Sequence, residues 1–178
     1  QQVVAHFRSI AKAVSCSITL YTNPKFQPWD FTLEALKQLT EEPNILYLKD
    51  ASGDVGKIMS IVTTLGHRIR IFSDTSSVPL FMFLIGAVGW MSGPACVIPA
   101  QSIELYEAAS QKRWDEAAEL QKKQWPLNVA FQRFSLSACV KAGLEMQGFP
   151  VGPPLPPQKQ LAPERRRAVE GILRRIGA

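Results

Sequence analysis

Lys49 is the side chain whose position in the sequence points most directly to chemistry. It ends the apolar run Ile45–Leu48, and strand alternation places Ile45, Tyr47 and Lys49 on one face. Burying a lysine ammonium costs free energy, so a lysine in such a position is expected to have a charged partner or a chemical role. Burial favours the neutral amine, and a neutral amine can attack a ketone to form a Schiff base. The alternative is a lysine that is solvated or paired with Asp50.

Three other short apolar runs also end in residues that could take part in chemistry. Tyr21 ends the first, Ser73 and Asp74 follow another, and Met91 and Ser92 end the last. A phenol close to the lysine amine could carry protons to and from a substrate. Tyrosines at strand ends are also common packing residues, so the pattern leaves both interpretations of Tyr21 open.

Helical and strand patterns alternate through the first hundred residues. Four segments show helical spacing and four short apolar runs separate them, with helices predicted at 2–14, 31–39, 58–65 and 78–85 and strands at 17–21, 45–48, 68–72 and 88–91. Such alternation predicts a parallel sheet covered by helices. Four units are half of an eight-stranded barrel, whereas an open sheet, the alternative, leaves two exposed edges. The catalytic groups of a (β/α)8 barrel lie at the C-terminal ends of its strands.

No strand pattern follows Pro99. Helices are predicted at 103–109, 114–123, 128–147 and 164–176, and the proline-rich segment 149–157 predicts an extended strap. We therefore expect an α/β fold, the C-terminal half (four βα units) of a TIM (β/α)8 barrel, followed by a helical C-terminal extension. Residues 1–98 would hold strands five to eight, and residues 99–178 the last barrel helix and the extension. Because Gln1 opens within a helical pattern, we also expect a piece of a longer protein.

Composition limits the partners and the compartment. The 20 Lys and Arg against 15 Asp and Glu leave a net charge of +5, too diffuse to indicate nucleic-acid binding. No apolar run reaches the roughly 18 residues that a membrane helix needs. Three cysteines at wide spacing argue against a disulfide framework and favour the cytoplasm, and two histidines fit no familiar zinc spacing.

Several motifs together resemble the dihydrodipicolinate synthase / N-acetylneuraminate lyase family. The lysine motif is the most specific, and the order of the others supports it: Tyr21-Thr22-Asn23-Pro24, Leu46-Tyr47-Leu48-Lys49-Asp50-Ala51-Ser52-Gly53-Asp54, Ser73-Asp74, and Gly86-Ala87-Val88-Gly89-Trp90-Met91-Ser92. The resemblance covers essentially the whole chain, but only the second part of the family's length.

The resemblance implies a class I aldolase or lyase that condenses or cleaves pyruvate and an aldehyde. Lys49 would form the imine with pyruvate, Tyr21 would relay protons, and Met91, Ser92, Thr22 and Asp74 would contact substrate. Because the lysine imine itself serves as the electron sink, no metal or organic cofactor is expected. Family members are commonly dimers or tetramers, so a homo-oligomer is expected, without nucleic-acid or membrane partners.

The departures from the family pattern leave the aldehyde open. Thr22 stands where the family usually has Asn, and Phe26 stands where dihydrodipicolinate synthases have an Arg that holds the second substrate's carboxylate. Tyr47 replaces a residue that is commonly small. Another 2-keto acid aldolase, of the keto-deoxy sugar acid or 4-hydroxy-2-oxoglutarate type, is therefore the alternative.

The family's carboxylate-binding Gly-Thr-Thr-Gly-Glu-type loop and its second relay tyrosine do not occur in this sequence. Without them a lysine nucleophile loses most of its rate, because orientation contributes several kcal/mol. We therefore expect this chain alone to be inactive. It is either part of a complete enzyme or a truncated, non-catalytic paralogue.

Overall fold

A computed structural model describes residues 1–24, 26–73 and 77–178. Helices and strands alternate up to residue 90 and helices follow: α1 Gln2–Ala13, β1 Ile18–Thr22, α2 Leu33–Leu39, β2 Ile45–Asp50, α3 Val55–Leu65, β3 Arg70–Ser73, α4 Pro79–Leu84, β4 Gly89–Trp90, a 3₁₀ turn Pro94–Cys96, α5 Pro99–Ser110, α6 Trp114–Phe134, α7 Leu136–Met146 and α8 Pro163–Ile176. The predicted alternation is confirmed for every element up to β4.

The four strands form one parallel sheet in the order β1-β2-β3-β4. One compact unit contains these strands, α1–α3 and Phe81–Met91, and the other contains Ser92–Ala178 with the start of α4. Since parallel strands all end at the same edge of a sheet, the residues that follow β1, β2 and β3 lie side by side. This edge positions the candidate site.

The core of the strand unit lies on the helix-covered face of the sheet. Leu20, Leu48 and Ile71 are register partners on three neighbouring strands and all three are buried. Burying side chains of this size contributes roughly 2 kcal/mol each. The opposite face carries Tyr21, Lys49 and Phe72, which are also register partners. The sheet therefore separates an apolar core from a face that presents the lysine.

A register shift between β1 and β2 changes the predicted faces of β2. Ile18 pairs with Ile45, but Thr19 pairs with Tyr47, so Leu46 is passed over. Ile45 is buried in the core and Leu46 is exposed, as expected where an extra residue interrupts the alternation. The predicted common face therefore holds for Tyr47 and Lys49 and does not extend to Ile45.

Side-chain caps fix the starts of α2 and α3. The Thr32 hydroxyl accepts a hydrogen bond from the Ala35 N–H, and the Asp54 carboxylate accepts one from the Lys57 N–H. Such caps satisfy backbone donors that have no partner in the first turn. Asp54 is also the last residue of the lysine motif, so this cap fixes the position of Lys57 in the first turn of α3 relative to that motif.

The helical unit differs from the prediction at α6. Separate helices were expected at 114–123 and 128–147, but α6 continues through Pro126 to Phe134, and α7 begins after Ser135. A proline inside a helix costs about 3 kcal/mol. Burial of Leu127 and Phe131 on the same helix offsets that cost. The break instead falls at Ser135, whose φ of 150° is incompatible with a helix.

Two further expectations have clear outcomes. The segment 78–85 was expected to be a buried helix, but α4 leaves Phe81 and Leu84 exposed because a helix of six residues buries one side only. The proline-rich segment 149–157 contains neither helix nor strand, as expected for a strap.

Among the described residues, none of the helices combines the length and the apolar character needed to cross a membrane.

Candidate active site

Tyr21 and Lys49 meet at the C-terminal ends of two neighbouring strands. They are register partners in β1 and β2, and the Lys49 Nζ lies 4.2 Å from the centre of the Tyr21 ring. An ammonium at that distance interacts favourably with the face of the ring. Tyr21 is 43% exposed and Lys49 is half-buried, so both are accessible from the open face of the sheet. The structure thus brings together the two residues for which chemistry was predicted.

Two further aromatic residues, Tyr47 and Phe72, lie on the same face of the sheet as Lys49. Phe72 is its register partner in β3, and the rings of Tyr47 and Phe72 meet edge to face with their centres 5.7 Å apart. Gly89 in β4 allows this packing, because a Cβ at that position would lie 2.8 Å from the Phe72 ring. The Lys49 amine is thus placed next to the packed rings of Tyr47 and Phe72 and over the ring of Tyr21.

Asp50 takes no part on that face. The side chains of neighbouring strand residues point to opposite sides of a sheet, and Asp50 is buried. Its carboxylate accepts hydrogen bonds from the Ser52 N–H and hydroxyl, and from the Lys57 Nζ at 2.5 Å. The pairing of Asp50 with Lys49, the alternative suggested by the sequence, thus gives way to a pairing with Lys57.

Lys57 joins two loops at the site and is not among the residues predicted from the sequence. Its Nζ lies 2.5 Å from Asp50 Oδ2 and 2.7 Å from Asp30 Oδ2, so one ammonium bridges two carboxylates. Burial alone raises the pKa of Asp30, but the hydrogen bonds and positive charge of Lys57, with hydrogen bonds from Thr22 and the Phe31 N–H, together lower it below its ordinary value. The sequence signal for Lys57 is its spacing from Asp54: Asp54 caps α3, and Lys57 follows three residues later in the first turn of that helix.

Thr22 is fully buried directly after Tyr21. Its hydroxyl donates to Asp30 Oδ1 at 2.5 Å and accepts a hydrogen bond from Gln27 Nε2 at 3.0 Å. The departure from the family's usual Asn therefore has a structural explanation, because a hydroxyl at this position ties the end of β1 to Asp30. Through Asp30 and Lys57, the same chain of contacts continues to Asp50.

Asn23 makes a direct contact with the Tyr21 hydroxyl that the sequence analysis also missed. Its Nδ2 donates a hydrogen bond of 2.8 Å to the phenol oxygen. Residues two apart in an extended chain share a side, so the spacing of Tyr21 and Asn23 contains the signal. Asn23 is buried, and its carbonyl accepts hydrogen bonds from the N–H groups of Phe26 and Gln27, which fix the turn.

Met91 and Ser92, two of the remaining predicted site residues, follow β4 directly along the chain. Met91 follows β4 in the strand unit, where its N–H donates to the Ser73 carbonyl at 2.9 Å. Ser92 begins the helical unit, and its hydroxyl accepts a hydrogen bond from the Ala95 N–H. Asp74 lies outside the described residues. No group of three His, Cys, Asp or Glu side chains in the described parts of the chain is arranged to hold a metal ion.

One family model matches almost the whole chain. A sequence model of the dihydrodipicolinate synthetase family matches residues 1–176. The chain belongs to this family. Membership confirms the resemblance expected from the lysine motif.

Curated relatives carry the name 4-hydroxy-tetrahydrodipicolinate synthase. The protein from Methanopyrus kandleri is 30% identical over 97% of this chain, which spans 58% of that relative. The protein from Prochlorococcus marinus is 29% identical over 96% of this chain and 57% of its own length. The chain thus covers somewhat more than half of each of these relatives.

Solved structures agree with the sequence relatives. Dihydrodipicolinate synthase from Acinetobacter baumannii, solved with pyruvate, matches 99% of this chain and 60% of its own with a TM-score of 0.91 at 27% identity. The Methylacidiphilum fumariolicum 4-hydroxy-tetrahydrodipicolinate synthase matches with a TM-score of 0.90 at 26% identity, over 98% of this chain and 58% of its own. The expected fold is confirmed: the four βα units are part of a TIM barrel, and a helical part follows them.

Proposed function

We propose that the protein to which this chain belongs is a Schiff-base lyase or synthase that joins pyruvate to an aldehyde, as 4-hydroxy-tetrahydrodipicolinate synthases do. The observation that carries the proposal is the Lys49 Nζ, placed 4.2 Å from the Tyr21 ring centre where two parallel strands end. An amine beside a phenol, among aromatic rings, supplies both a nucleophile and a proton carrier.

The neutral amine of Lys49 attacks the keto carbon of pyruvate: its lone pair forms the C–N bond as the C=O π bond opens, and one N–H proton passes to the oxygen, which gives a carbinolamine. Loss of the carbinolamine hydroxyl, protonated by the Tyr21 phenol, releases water and leaves an iminium ion and a phenolate. The phenolate then takes a proton from the pyruvate methyl group, which gives an enamine and restores the phenol. The enamine carbon attacks the aldehyde, whose oxygen takes the Tyr21 proton and becomes a hydroxyl, which leaves an iminium ion and a phenolate. Water adds to this iminium ion and gives one proton to the phenolate, and collapse of the resulting carbinolamine frees Lys49. Every proton that Tyr21 donates is thus recovered within the cycle.

The second candidate function differs only in the aldehyde. Phe26 is 87% exposed in the loop after β1, at the position where the family has an Arg for a substrate carboxylate. An exposed aromatic ring offers stacking and apolar contact, and it offers no bidentate partner for a carboxylate. This favours an aldolase that forms another 2-keto acid, from an aldehyde substrate that has no carboxylate to be held at the Phe26 position. Turnover with aspartate semialdehyde and with an uncharged aldehyde of similar size distinguishes the two.

The remaining site assignments follow the family resemblance. We infer substrate contacts for Met91, Ser92 and Asp74, a homo-oligomer of two or four subunits, and a cytoplasmic location. Thr22, for which a substrate contact was also expected, is fully buried with its hydroxyl bound to Asp30 and Gln27, so we infer that it supports the end of β1 instead. All three cysteines are free, which supports a reducing compartment. We further infer that the 178-residue chain by itself turns over no substrate, since it spans little more than half of its relatives.

Borohydride reduction in the presence of pyruvate tests the proposal. The complete gene product should gain the mass of one reduced pyruvate and lose activity, whereas borohydride without pyruvate should leave it unchanged. A complete gene product that forms no adduct would be the non-catalytic paralogue, and the proposal would be wrong. Turnover by the isolated chain would contradict the inferred need for the rest of the barrel.

A further inference from the structure

We propose that Asn23 is a positioning residue that directs the Tyr21 hydroxyl proton toward the substrate. This inference rests on the proposed function, because it assigns a role to Tyr21. Its basis is the 2.8 Å hydrogen bond from Asn23 Nδ2 to the phenol oxygen. A phenol has one proton to donate and lone pairs that accept. When an amide N–H occupies one of those lone pairs, the phenol proton must point elsewhere.

The direction left for that proton is fixed by the neighbours of Tyr21. Asn23 follows it at the end of β1, and Lys49 Nζ lies over the ring face from β2. The lysine is where the carbinolamine forms. Because Tyr21 is partly exposed, a proton directed away from Asn23 is left available for the carbinolamine hydroxyl that forms at Lys49.

The same hydrogen bond also acts after the proton has left. Once Tyr21 has protonated the leaving hydroxyl, its oxygen carries negative charge, and a hydrogen bond to a charged acceptor is stronger than one to a neutral acceptor. Asn23 therefore stabilises the phenolate that forms in the dehydration step. It does so without touching the substrate, which makes it a positioning residue and leaves Tyr21 as the catalytic one.

The backbone around Asn23 holds its amide in place. Asn23 is buried, its carbonyl accepts the N–H groups of Phe26 at 3.0 Å and Gln27 at 3.2 Å, and Pro24 follows it. A residue that precedes proline is restricted to extended conformations, which keeps Asn23 on the side of Tyr21. Little conformational freedom is therefore lost when the amide donates to the phenol.

A double-mutant cycle in the complete gene product tests the proposal. The substitutions are Asn23→Asp, which keeps the shape but replaces the donor by an acceptor, and Tyr21→Phe, which removes the hydroxyl. The readout is exchange of the pyruvate methyl protons for deuterium, followed by proton NMR, because this exchange reports formation of the enamine. Borohydride trapping at Lys49 is measured in parallel.

We expect Asn23→Asp to slow exchange about tenfold or more when Tyr21 is present, because the carboxylate captures the phenol proton. In the Tyr21→Phe background the same substitution should change nothing further, since residues that act through one group are not additive. Asn23→Ala, which removes the donor without adding charge, should show the same dependence on Tyr21. Gln111→Glu, an amide-to-acid change on the exposed end of α5, should leave exchange unchanged.

Two results would overturn the positioning role: wild-type exchange rates in Asn23→Asp and Asn23→Ala, or equal losses in the two backgrounds. In both cases the wild type still forms its pyruvate adduct, so the proposed function stands. A wild type that gives neither adduct nor exchange overturns the proposed function, and the role of Asn23 with it. The two failures are therefore distinguishable.

Discussion

The ammonium of Lys57 lies 2.5 Å from Asp50, the last residue of β2, and 2.7 Å from Asp30, in the loop between β1 and α2. Asp30 accepts the hydroxyl of Thr22, the residue after Tyr21, and Asp50 is the residue after Lys49. One ion-pair network thus links the residues that directly follow Tyr21 and Lys49. This network lies on the face of the sheet opposite to the Tyr21 ring and the Lys49 amine.

Replacing Lys57 should therefore destabilise the strand unit strongly. Lys57→Met leaves two carboxylates together, one of them on the buried Asp50, and removing one partner of a buried pair costs about 3 kcal/mol or more. Thermal unfolding of the chain measures this loss. Lys122→Met, which removes an exposed lysine paired with Glu119, is the matched control and should leave the midpoint unchanged. Equal midpoints for the two variants would contradict the network's structural role.

The same network predicts the pH dependence of stability. The pKa of Asp30 is lowered in the folded chain, so its contribution is complete above its ordinary value of 3.8 and is lost as the pH falls through the folded value. The stability difference between wild type and Lys57→Met should therefore be largest near neutral pH and shrink below pH 3.8. Denaturant unfolding at a series of pH values measures it, and a difference that grows on acidification would be inconsistent with this sign.

Gly89 should tolerate no side chain, because its Cβ would lie 2.8 Å from the Phe72 ring. Gly89→Ala must displace a ring that neighbours Lys49, and overpacking of this kind costs roughly 1–3 kcal/mol. We expect a lower unfolding midpoint and, in the complete gene product, slower adduct formation at Lys49. Gly171→Ala on α8 is the control, since its Cβ would meet only the Arg175 side chain at 3.9 Å. In a helix this substitution should raise the midpoint, because alanine favours helix over glycine.

The three thiols should differ in reactivity. Cys16 and Cys96 are exposed, whereas Cys139 is buried, and burial raises its pKa to about 11. Because the thiolate is the nucleophile, iodoacetamide at pH 8 should modify Cys16 and Cys96 and spare Cys139 until the chain is unfolded. Mass spectrometry of the labelled chain checks this order. Early modification of Cys139 in the folded chain would contradict the packing of the helical unit.

The sequence predicts the meeting of Tyr21 and Lys49 for a simple physical reason. Both follow short apolar runs, and the ends of parallel strands align at one edge. Position along the chain was therefore enough to bring the two residues together. The motif around Lys49 indicated the family, and the match over residues 1–176 confirms that membership.

For Lys57 and Asn23, spacing in the sequence indicates which side of its element each residue occupies, but it does not identify all of their contacts. Each depends on the path of the loop after β1, which brings Asp30 to Lys57 and turns the Asn23 amide back to the phenol. The register shift at Leu46 likewise depends on how two strands pair, and alternation along a single strand contains no sign of it. Local patterns predict elements, whereas these contacts arise from their assembly.

The most direct test of the central claim is the location of the pyruvate adduct. After borohydride reduction of the complete gene product with pyruvate, peptide mapping should place one reduced pyruvate on Lys49. Lys49→Met should abolish the adduct, and Lys37→Met, which removes an exposed lysine of α2, should retain it. An adduct on another lysine, or an adduct that persists in Lys49→Met, would contradict the assignment of Lys49 as the nucleophile.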